Sequence, residues 1–274
     1  MFLRPTWLTA LLAALALSQG LPSTSASSTG IVEVDLISPR NQTYPPSALT
    51  PIVFAVQNTE RVRALSPSIT WYIEQRGVNA SERIYTTGSF DLAKDVNSSS
   101  PDPFFAYAGT SRVTHEGYFA FSWQIDYSNC STASDDDEVT LSSDSRRYNV
   151  FFTAQNGTEP ADLVAATNND TCKNSPAHAW SVSSLLDAPE SEGFEGGPSC
   201  AVLADATPLP TPTPCNVKID ESAAESMQAV ITERACAARD PSPELACPTP
   251  ESAAAIHAPI GALFVVVGLA YYLA

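Results

Sequence analysis

The chain contains 274 residues, with 30 Asp and Glu against 14 Lys and Arg, which leaves a net charge of -16. A field of this sign repels phosphate and argues against a nucleic-acid partner. Because 44% of the residues are apolar, the chain can bury a sizeable core, which argues against wholesale disorder.

The chain begins with a segment typical of a secretory signal peptide. Residues 1–20 contain one basic residue, Arg4, and an apolar run at 7–17 that is too short to span a bilayer. Small residues follow this run, so cleavage after Gly20 and cleavage after Ala26 both stay open. We therefore expect the protein to enter the secretory pathway.

The body of the chain, residues 30–200, alternates between apolar and polar residues with the period of half-buried strands. In the clearest run, Gly117–Ser128, the aromatic side chains at odd positions share one face, which we expect to line a core. The other predicted strands are Ile31–Ile37, Ile52–Gln57, Ser68–Gln75, Arg83–Phe90, Arg147–Gln155 and Trp180–Leu185. Seven strands without long helices between them predict a mainly β fold, an antiparallel β-sandwich of immunoglobulin-like architecture.

Six Asn-x-Ser/Thr sequons occur in this body, and each can carry a glycan once the chain is secreted. The candidate glycosylation sites are Asn41, Asn79, Asn97, Asn129, Asn156 and Asn169. A glycosylated side chain cannot face the core, so we expect these residues to mark surface loops.

Six cysteines are present, an even number that predicts up to three disulfides in an oxidising compartment. They are Cys130, Cys172, Cys200, Cys215, Cys236 and Cys247. Their wide spacing matches no zinc signature. A Cys130–Cys172 bridge would leave the four later cysteines to each other, although the pairing stays open. Because no predicted strand contains a cysteine, we do not expect the inter-sheet disulfide of true immunoglobulin domains.

The composition then changes to a Pro/Thr-rich linker at residues 201–214, which we expect to be a stiff, extended spacer. A Cys-containing helical segment follows at residues 215–247. Within it, apolar residues recur at helical spacing over Asp220–Cys236, and Ser222 with Glu225 forms a capping-box pattern at the start.

The cysteines around this helix leave two pairings open. A helix of fifteen residues is about 22 Å long, so a Cys215–Cys236 bridge requires the preceding segment to run back along the helix. A local Cys236–Cys247 bridge is easier to form. The sequence thus predicts a short disulfide-tied helix, which either packs on the sandwich or belongs to a solvated stalk beside the membrane.

The C-terminal residues 253–274 form a hydrophobic tail without Lys, Arg, Asp or Glu. Small residues, a short spacer and this tail are the signal for a glycosylphosphatidylinositol (GPI) anchor, with Ser252 as the attachment candidate. A single-pass membrane helix is the alternative, although the tail is short for a span and no basic residue follows it. We expect the protein at the cell surface, on the extracellular side of the plasma membrane or in the wall.

Several segments resemble a family of secreted ascomycete fungal proteins that carry a domain of unknown function. The segments are Ile-Val-Glu-Val-Asp-Leu-Ile-Ser-Pro-Arg-Asn-Gln-Thr-Tyr at 31–44, 51–58, Gly-Tyr-Phe-Ala-Phe-Ser-Trp at 117–123, 151–157 and Thr-Pro-Thr-Pro-Cys-Asn-Val-Lys-Ile-Asp at 211–220. The likeness covers most of residues 30–247. It implies a fungal cell-surface or secreted glycoprotein, often with a GPI-type tail, and it supplies no catalytic residues.

Residue patterns for catalysis or metal binding are mostly missing. The histidines His115, His178 and His257 form no His-Glu-x-x-His pair, and the chain has no Gly-x-Ser-x-Gly elbow. Four consecutive acids, Asp135 to Glu138, could collect Ca2+, but they lack the spacing of an EF-hand loop and are more typical of a solvated loop. We therefore predict no catalytic residue, no metal, no cofactor and no enzymatic activity.

Aromatic side chains are the remaining candidates, because planar rings can stack on the apolar faces of sugars. Most of them alternate as a core requires, including Trp71, Phe119, Phe121, Trp123 and Tyr127. The exceptions are Tyr72 and Tyr118, on the opposite strand faces, and the predicted loop Phe104–Tyr107. These residues are the candidates for a sugar-binding surface.

Three functions stay open for such a protein. We favour a non-enzymatic surface glycoprotein with a structural or interaction role at the membrane or cell wall. A carbohydrate-binding module with an exposed aromatic face is the alternative, and burial of Tyr72 and Tyr118 would exclude it. A secreted hydrolase of wall polysaccharide would need a pocket with two carboxylates or a His. The expected partners are wall polysaccharide, surface proteins and the membrane, and not nucleic acid.

Overall fold

The computed structural model describes residues 30–132, 139–188, 194–205, 208–238, 241, 243 and 245–247. Several expectations from the sequence lie outside these residues. They are the signal peptide at 1–20 with its cleavage sites at Gly20 and Ala26, the acidic run Asp135 to Glu138, Ser252, His257 and the tail at 253–274. These expectations stay predictions.

The described residues form a mainly β fold, as the alternation predicts. The strands are β1 (Gly30–Ser38), β2 (Thr43–Tyr44), β3 (Thr50–Gln57), β4 (Ser68–Arg76), β5 (Tyr85–Asp91), β6 (Phe104–Thr110), β7 (Gly117–Thr132), β8 (Val139–Ala154), β9 (Ala177–Asp187) and β10 (Ser199–Leu203). The helices are α1 (Thr59–Val62), α2 (Leu92–Asp95), α3 (Leu163–Ala166) and α4 (Glu221–Cys236), and 3-10 turns cover Arg63–Leu65, Cys172–Asn174 and Pro214–Asn216. Within the described ranges, no helix combines the length and the apolar character that crossing a bilayer requires.

Each predicted strand overlaps an observed strand, whereas β6 was expected as a loop. That expectation for Phe104–Tyr107 is wrong. Ala106 faces the core between the sheets, while Phe105 and Tyr107 pack on the other side of the strand. Because both faces of β6 are covered, its sequence lacks the polar-apolar alternation that marks a half-buried strand.

The hairpin of β7 and β8 is longer than the sequence predicts. The strand expected to end at Ser128 continues to Thr132. Its polar end pairs with β8 residue by residue, and the hydroxyls of Ser131 and Thr140 lie 2.9 Å apart across the strands. Asn129 consequently lies within a strand, and not in the loop expected of a sequon.

Two five-stranded sheets pack face to face. The first sheet has the order β10-β9-β1-β3-β6, and the second has the order β2-β8-β7-β4-β5. Neighbouring strands are antiparallel except for β2 with β8, which are parallel. Between the sheets, Phe54 of β3 meets Trp123 of β7 with ring centroids 5.2 Å apart. The immunoglobulin-like detail of the expected architecture stays a prediction.

The outer face of the first sheet is covered by α4 and by the segment that precedes it. Val217, Ile219 and Met227 pack there on Ile37 and Val53. The helix therefore lies against the sheet, which is the first of the two placements that the sequence left open. The Pro-rich spacer before it stays a prediction.

The start of α4 is capped differently from the expectation. The side chain of Asp220 accepts a hydrogen bond from the Ala223 N–H at 2.8 Å. A carboxylate at this position also interacts favourably with the positive end of the helix dipole. Asp220 therefore caps the helix, in place of the capping box expected from Ser222 and Glu225.

All six cysteines form disulfides, as their even number predicts. The pairs are Cys130–Cys200, Cys172–Cys215 and Cys236–Cys247. The Cys130–Cys172 pairing is wrong, and of the two late pairings the local one is present. The first bridge joins β7 to β10 and thus one sheet to the other, although no predicted strand contains a cysteine. Its two cysteines lie in strand segments that carry no clear alternation. The absence of the bridge that is typical of true immunoglobulin domains stays a prediction.

Candidate ligand-binding face

The outer face of the second sheet is formed by alternate residues of β5, β4, β7 and β8. The intervening residues of β4, β7 and β8 point into the core, where the rings of Phe121 and Trp123 are fully buried. The register places Tyr85 of β5 opposite Glu74 of β4. The same row continues through Ala120 of β7 to Phe151 of β8. Side chains of four strands thus lie side by side on one surface.

Four aromatic side chains on this surface form two pairs. The rings of Tyr118 and Phe151 are nearly parallel, with centroids 5.7 Å apart and an angle of 10° between the planes. Tyr72 and Tyr85 form the second pair, with centroids 6.0 Å apart and an angle of 29°. We call these four side chains the aromatic face.

The aromatic face is unusually exposed. Tyr85 is 56%, Tyr118 49% and Phe151 41% accessible, while Tyr72 is half-buried. The large apolar side chains that are exposed in the described part of the chain are Ile31, Tyr85, Tyr118, Phe151 and Leu209. Three of these five belong to one surface. Clustered exposure of apolar rings costs free energy in water, and exposed apolar patches are typical of binding surfaces. The aromatic face is therefore the candidate binding surface.

Polar groups lie between and beside the rings. The Glu74 carboxylate forms an ion pair with Arg76 Nη2 at 3.1 Å and accepts a hydrogen bond from Arg83 Nη1 at 2.5 Å. Asn149 is exposed beside the rings, and its Oδ1 accepts a hydrogen bond from the buried Ser122 hydroxyl at 2.6 Å. Carboxylate and amide groups can bind sugar hydroxyls, so the surface combines stacking rings with hydrogen-bonding groups.

The structure separates the sequence candidates for sugar binding. Tyr72 and Tyr118 lie on the outward faces that the alternation predicts. The stretch Phe104–Tyr107 does not join them, because it faces the core and α4. There the guanidinium of Arg234 lies 5.4 Å from the centre of the Tyr107 ring.

Tyr85 and Phe151 are members of the aromatic face that sequence reasoning missed. Two adjacent aromatic residues, Phe151 and Phe152, occur in a predicted strand, and neighbours in a strand point to opposite faces. Since Phe152 is in the core, Phe151 must point outward. This signal was available in the sequence.

Of the three histidines the structure describes His115 and His178, and neither lies in a site with acids or nucleophiles. His115 lies exposed before β7, with its Nδ1 2.8 Å from the Thr114 hydroxyl. His178 is buried in β9, with its Nδ1 2.6 Å from the Tyr148 hydroxyl, and burial lowers its pKa to about 4. Among the described residues, no group of three or more His, Cys, Asp or Glu could hold a metal ion.

A buried pair of acids, Glu33 and Asp35, lies on β1 beneath the C-terminal segment. The N–H of Thr213 donates to both carboxylate oxygens of Glu33, at 2.7 and 2.8 Å. Gln57 Nε2 donates to Asp35 Oδ2 at 2.8 Å. Burial, together with the neighbouring Glu33, raises the pKa of Asp35 to about 9.

These two acids are poorly placed for hydrolysis. Asp35 is fully buried, so a substrate cannot reach its carboxyl group. Glu33 borders a shallow cleft of about 360 Å³, but both of its oxygens are occupied by Thr213. Glu33 and Asp35 alternate along β1 with the core residues Val32 and Val34, and the contact with Thr213 shows that the C-terminal segment covers this outer face.

Comparison with known proteins adds one finding. A family model described as a domain of unknown function (DUF7136) matches residues 27–247. Neither a curated protein nor a solved structure matches the chain.

Proposed function

We propose that this chain, which belongs to the family described as a domain of unknown function (DUF7136), binds polysaccharide through the aromatic face. In this proposal it is a secreted, non-enzymatic glycoprotein of the fungal cell surface, and it acts as a carbohydrate-binding module at the wall. Its partners are wall polysaccharide and, through a GPI anchor, the membrane.

The observation that carries the proposal is the two pairs of rings on an otherwise polar sheet surface. Tyr and Phe rings offer a flat apolar area, and the Tyr hydroxyls add a polar edge. A pyranose ring likewise has apolar C–H faces and a rim of hydroxyls. The aromatic face and the polar groups beside it therefore match both parts of a sugar.

Secretion is supported by the disulfides. All six cysteines are paired, and such bonds persist in oxidising compartments and are rare in the cytosol. The Asn side chains of five sequons are exposed and that of Asn129 is half-buried, so glycans have space at most of them. Three disulfides in a compact β fold fit an extracellular protein.

A secreted hydrolase is the alternative, and the placement of acids disfavours it. A glycoside hydrolase needs two carboxyl groups on opposite sides of an accessible bond. The pair Glu33 and Asp35 is covered, and Glu74 is held by two arginines. The accessible surface instead presents rings, which favours binding over cleavage.

The test is a binding screen of the expressed ectodomain, residues 21–252, on insoluble and soluble wall polysaccharides. Replacing Tyr85 and Phe151 by Ala removes one ring of each pair. If each ring contributes about 1 kcal/mol, the double variant should bind about tenfold or more weakly.

A matched control is the double variant of Ile31 and Leu209 to Ala. These side chains are also exposed and apolar, and neither residue belongs to a strand of the second sheet. This variant should bind like the unaltered protein. Equal binding by the two double variants would show that the aromatic face is not the binding surface.

The proposed anchor has a separate test in the source cells. Small residues around Ser252 and an apolar tail motivate it. We expect a phosphatidylinositol-specific lipase to release the protein from intact cells. Retention after treatment, with release of a known GPI-anchored protein in the same sample, would favour a spanning helix.

A further inference from the structure

The two ring pairs occupy opposite corners of the second sheet. One pair lies on the neighbouring strands β8 and β7, and the other lies on β4 and β5. Tyr85 and Phe151 share one row of the register, with Glu74 and Ala120 between them. Their partner rings are displaced from this row in opposite directions along the strands.

The register gives the separation of the pairs. Strands lie about 4.8 Å apart and residues rise about 3.4 Å along a strand, so the centres of the pairs are about 12 Å apart. The line between them runs diagonally across the strands and passes over Ala120 and Glu74. The small Ala120 side chain is buried, so no side chain projects from β7 between the two ring pairs at this point.

A distance of this size suits two separate sugar-binding positions on one chain. A single pyranose is too short to contact both pairs, whereas an extended oligosaccharide can place one sugar on each pair. Between them, Glu74 and its arginines can bond to hydroxyl groups. Two linked contacts strengthen each other, because the second forms at a high effective concentration.

The negative charge of the protein favours uncharged polysaccharides over anionic ones. The chain carries a net charge of -16, which repels a polyanion at long range. An uncharged chain does not meet this repulsion.

We propose that the aromatic face binds an uncharged, extended polysaccharide, which lies diagonally across β8, β7, β4 and β5 and contacts both ring pairs. This inference rests on the proposed function and adds the class, length and direction of the ligand. The pair of Tyr118 and Phe151 and the pair of Tyr72 and Tyr85 are then two subsites of one site.

The experiment is a titration of the ectodomain with two series of oligosaccharides, one derived from cellulose and one from chitin, each from the disaccharide to the hexasaccharide. We expect the affinity to rise at least about tenfold between the shortest and the longest member of the preferred series. The series that binds identifies the source of the ligand. Carboxymethyl cellulose and polygalacturonate serve as anionic polymers and should bind more weakly.

Variants that remove one pair separate the two subsites. Tyr118→Ala with Phe151→Ala should lower hexasaccharide affinity to the level of the disaccharide and leave disaccharide binding at the other pair. Tyr72→Ala with Tyr85→Ala should do the same, and it repeats the test should the first variant fold poorly. The variant of Ile31 and Leu209 to Ala should keep the dependence on length.

The outcomes distinguish this inference from the proposed function. Affinity that does not depend on length, or tighter binding of the anionic polymers, would overturn the inference while carbohydrate binding itself stands. Loss of all binding on removal of a single pair would overturn the two-subsite arrangement. If no saccharide binds at all, the proposed function fails together with the inference.

Discussion

Asp35 and His178 are buried ionisable residues whose pKa values are shifted in opposite directions. Asp35 is buried beside Glu33 and faces Gln57 and Arg40, and its pKa rises from 3.8 to about 9, mainly because burial disfavours the charged carboxylate. His178 is buried near Asp144, Arg146 and Tyr148, and its pKa falls from 6.5 to about 4, mainly because burial disfavours the cation. Both groups are therefore neutral in the folded protein between pH 4 and 9.

These two shifts predict how stability depends on pH. The contribution of neutral Asp35 is complete below pH 3.8 and is lost as pH rises towards 9, whereas that of neutral His178 is complete above pH 6.5 and is lost as pH falls towards 4. Each slope is at most about 1.4 kcal/mol per pH unit. The two slopes oppose each other between pH 4 and 6.5, and only the Asp35 slope acts from 6.5 to 9.

Urea unfolding at a series of pH values checks this expectation. The free energy of unfolding should change little from pH 4 to 6.5 and then decline up to pH 9. Asp35→Asn should remove the decline, because the amide stays neutral in both states. His178→Phe should instead give a decline that begins near pH 4. A decline above pH 6.5 that persists in the Asn variant would contradict the role of Asp35.

At the scale of elements, period-two alternation locates strands that have one face in the core and one in water. It finds β4 and β7 because Ile69, Trp71 and Ile73 alternate with Thr70 and Tyr72, and Trp123 and Ile125 alternate with polar residues. It fails for β6, whose two faces are both buried, and for the polar end of the long hairpin. In these two places a strand forms because of segments that are distant in sequence, namely the layer of α4 over β6 and the paired strand β8 beside the end of β7.

The same limit explains how much of the candidate site the sequence predicts. Alternation places Tyr72 and Tyr118 outward, and it would place Phe151 there too. It cannot show which outward face stays exposed, and so it gives no sign that Glu33 and Asp35 are buried beneath the segment that precedes α4. To cover the first sheet, α4 packs closely on β6. Gly109 permits this close packing, because a Cβ at this position would lie 2.4 Å from Ile231 Cγ2 of α4.

At the scale of the whole molecule, the described residues form three layers. The second sheet, the first sheet and the layer of α4 follow each other, so only one broad sheet face remains open. The aromatic face lies on that open face. The arrangement gives the C-terminal segment a structural role, because it covers the outer surface of the first sheet.

The Cys130–Cys200 disulfide connects the two sheets and closes the longest loop of the three bridges. In the chain-entropy account, a bridge stabilises by restricting the unfolded state, and the effect grows with loop length. The sequence separations of 70 and 11 residues correspond to about 4 kcal/mol for Cys130–Cys200 and about 3 kcal/mol for Cys236–Cys247. The bridge between the sheets should therefore matter more to the stability of the whole molecule.

Paired replacements by Ala test this difference. Cys130→Ala with Cys200→Ala should lower the free energy of unfolding by more than Cys236→Ala with Cys247→Ala, as measured by urea denaturation at fixed pH. The first pair is fully buried between elements of both sheets, so its loss also frees β10 to separate from β7. Saccharide binding below the unfolding transition should survive in both variants, because neither bridge contacts the aromatic face. A smaller loss for the Cys130–Cys200 variant would mean that the apolar core alone holds the two sheets together.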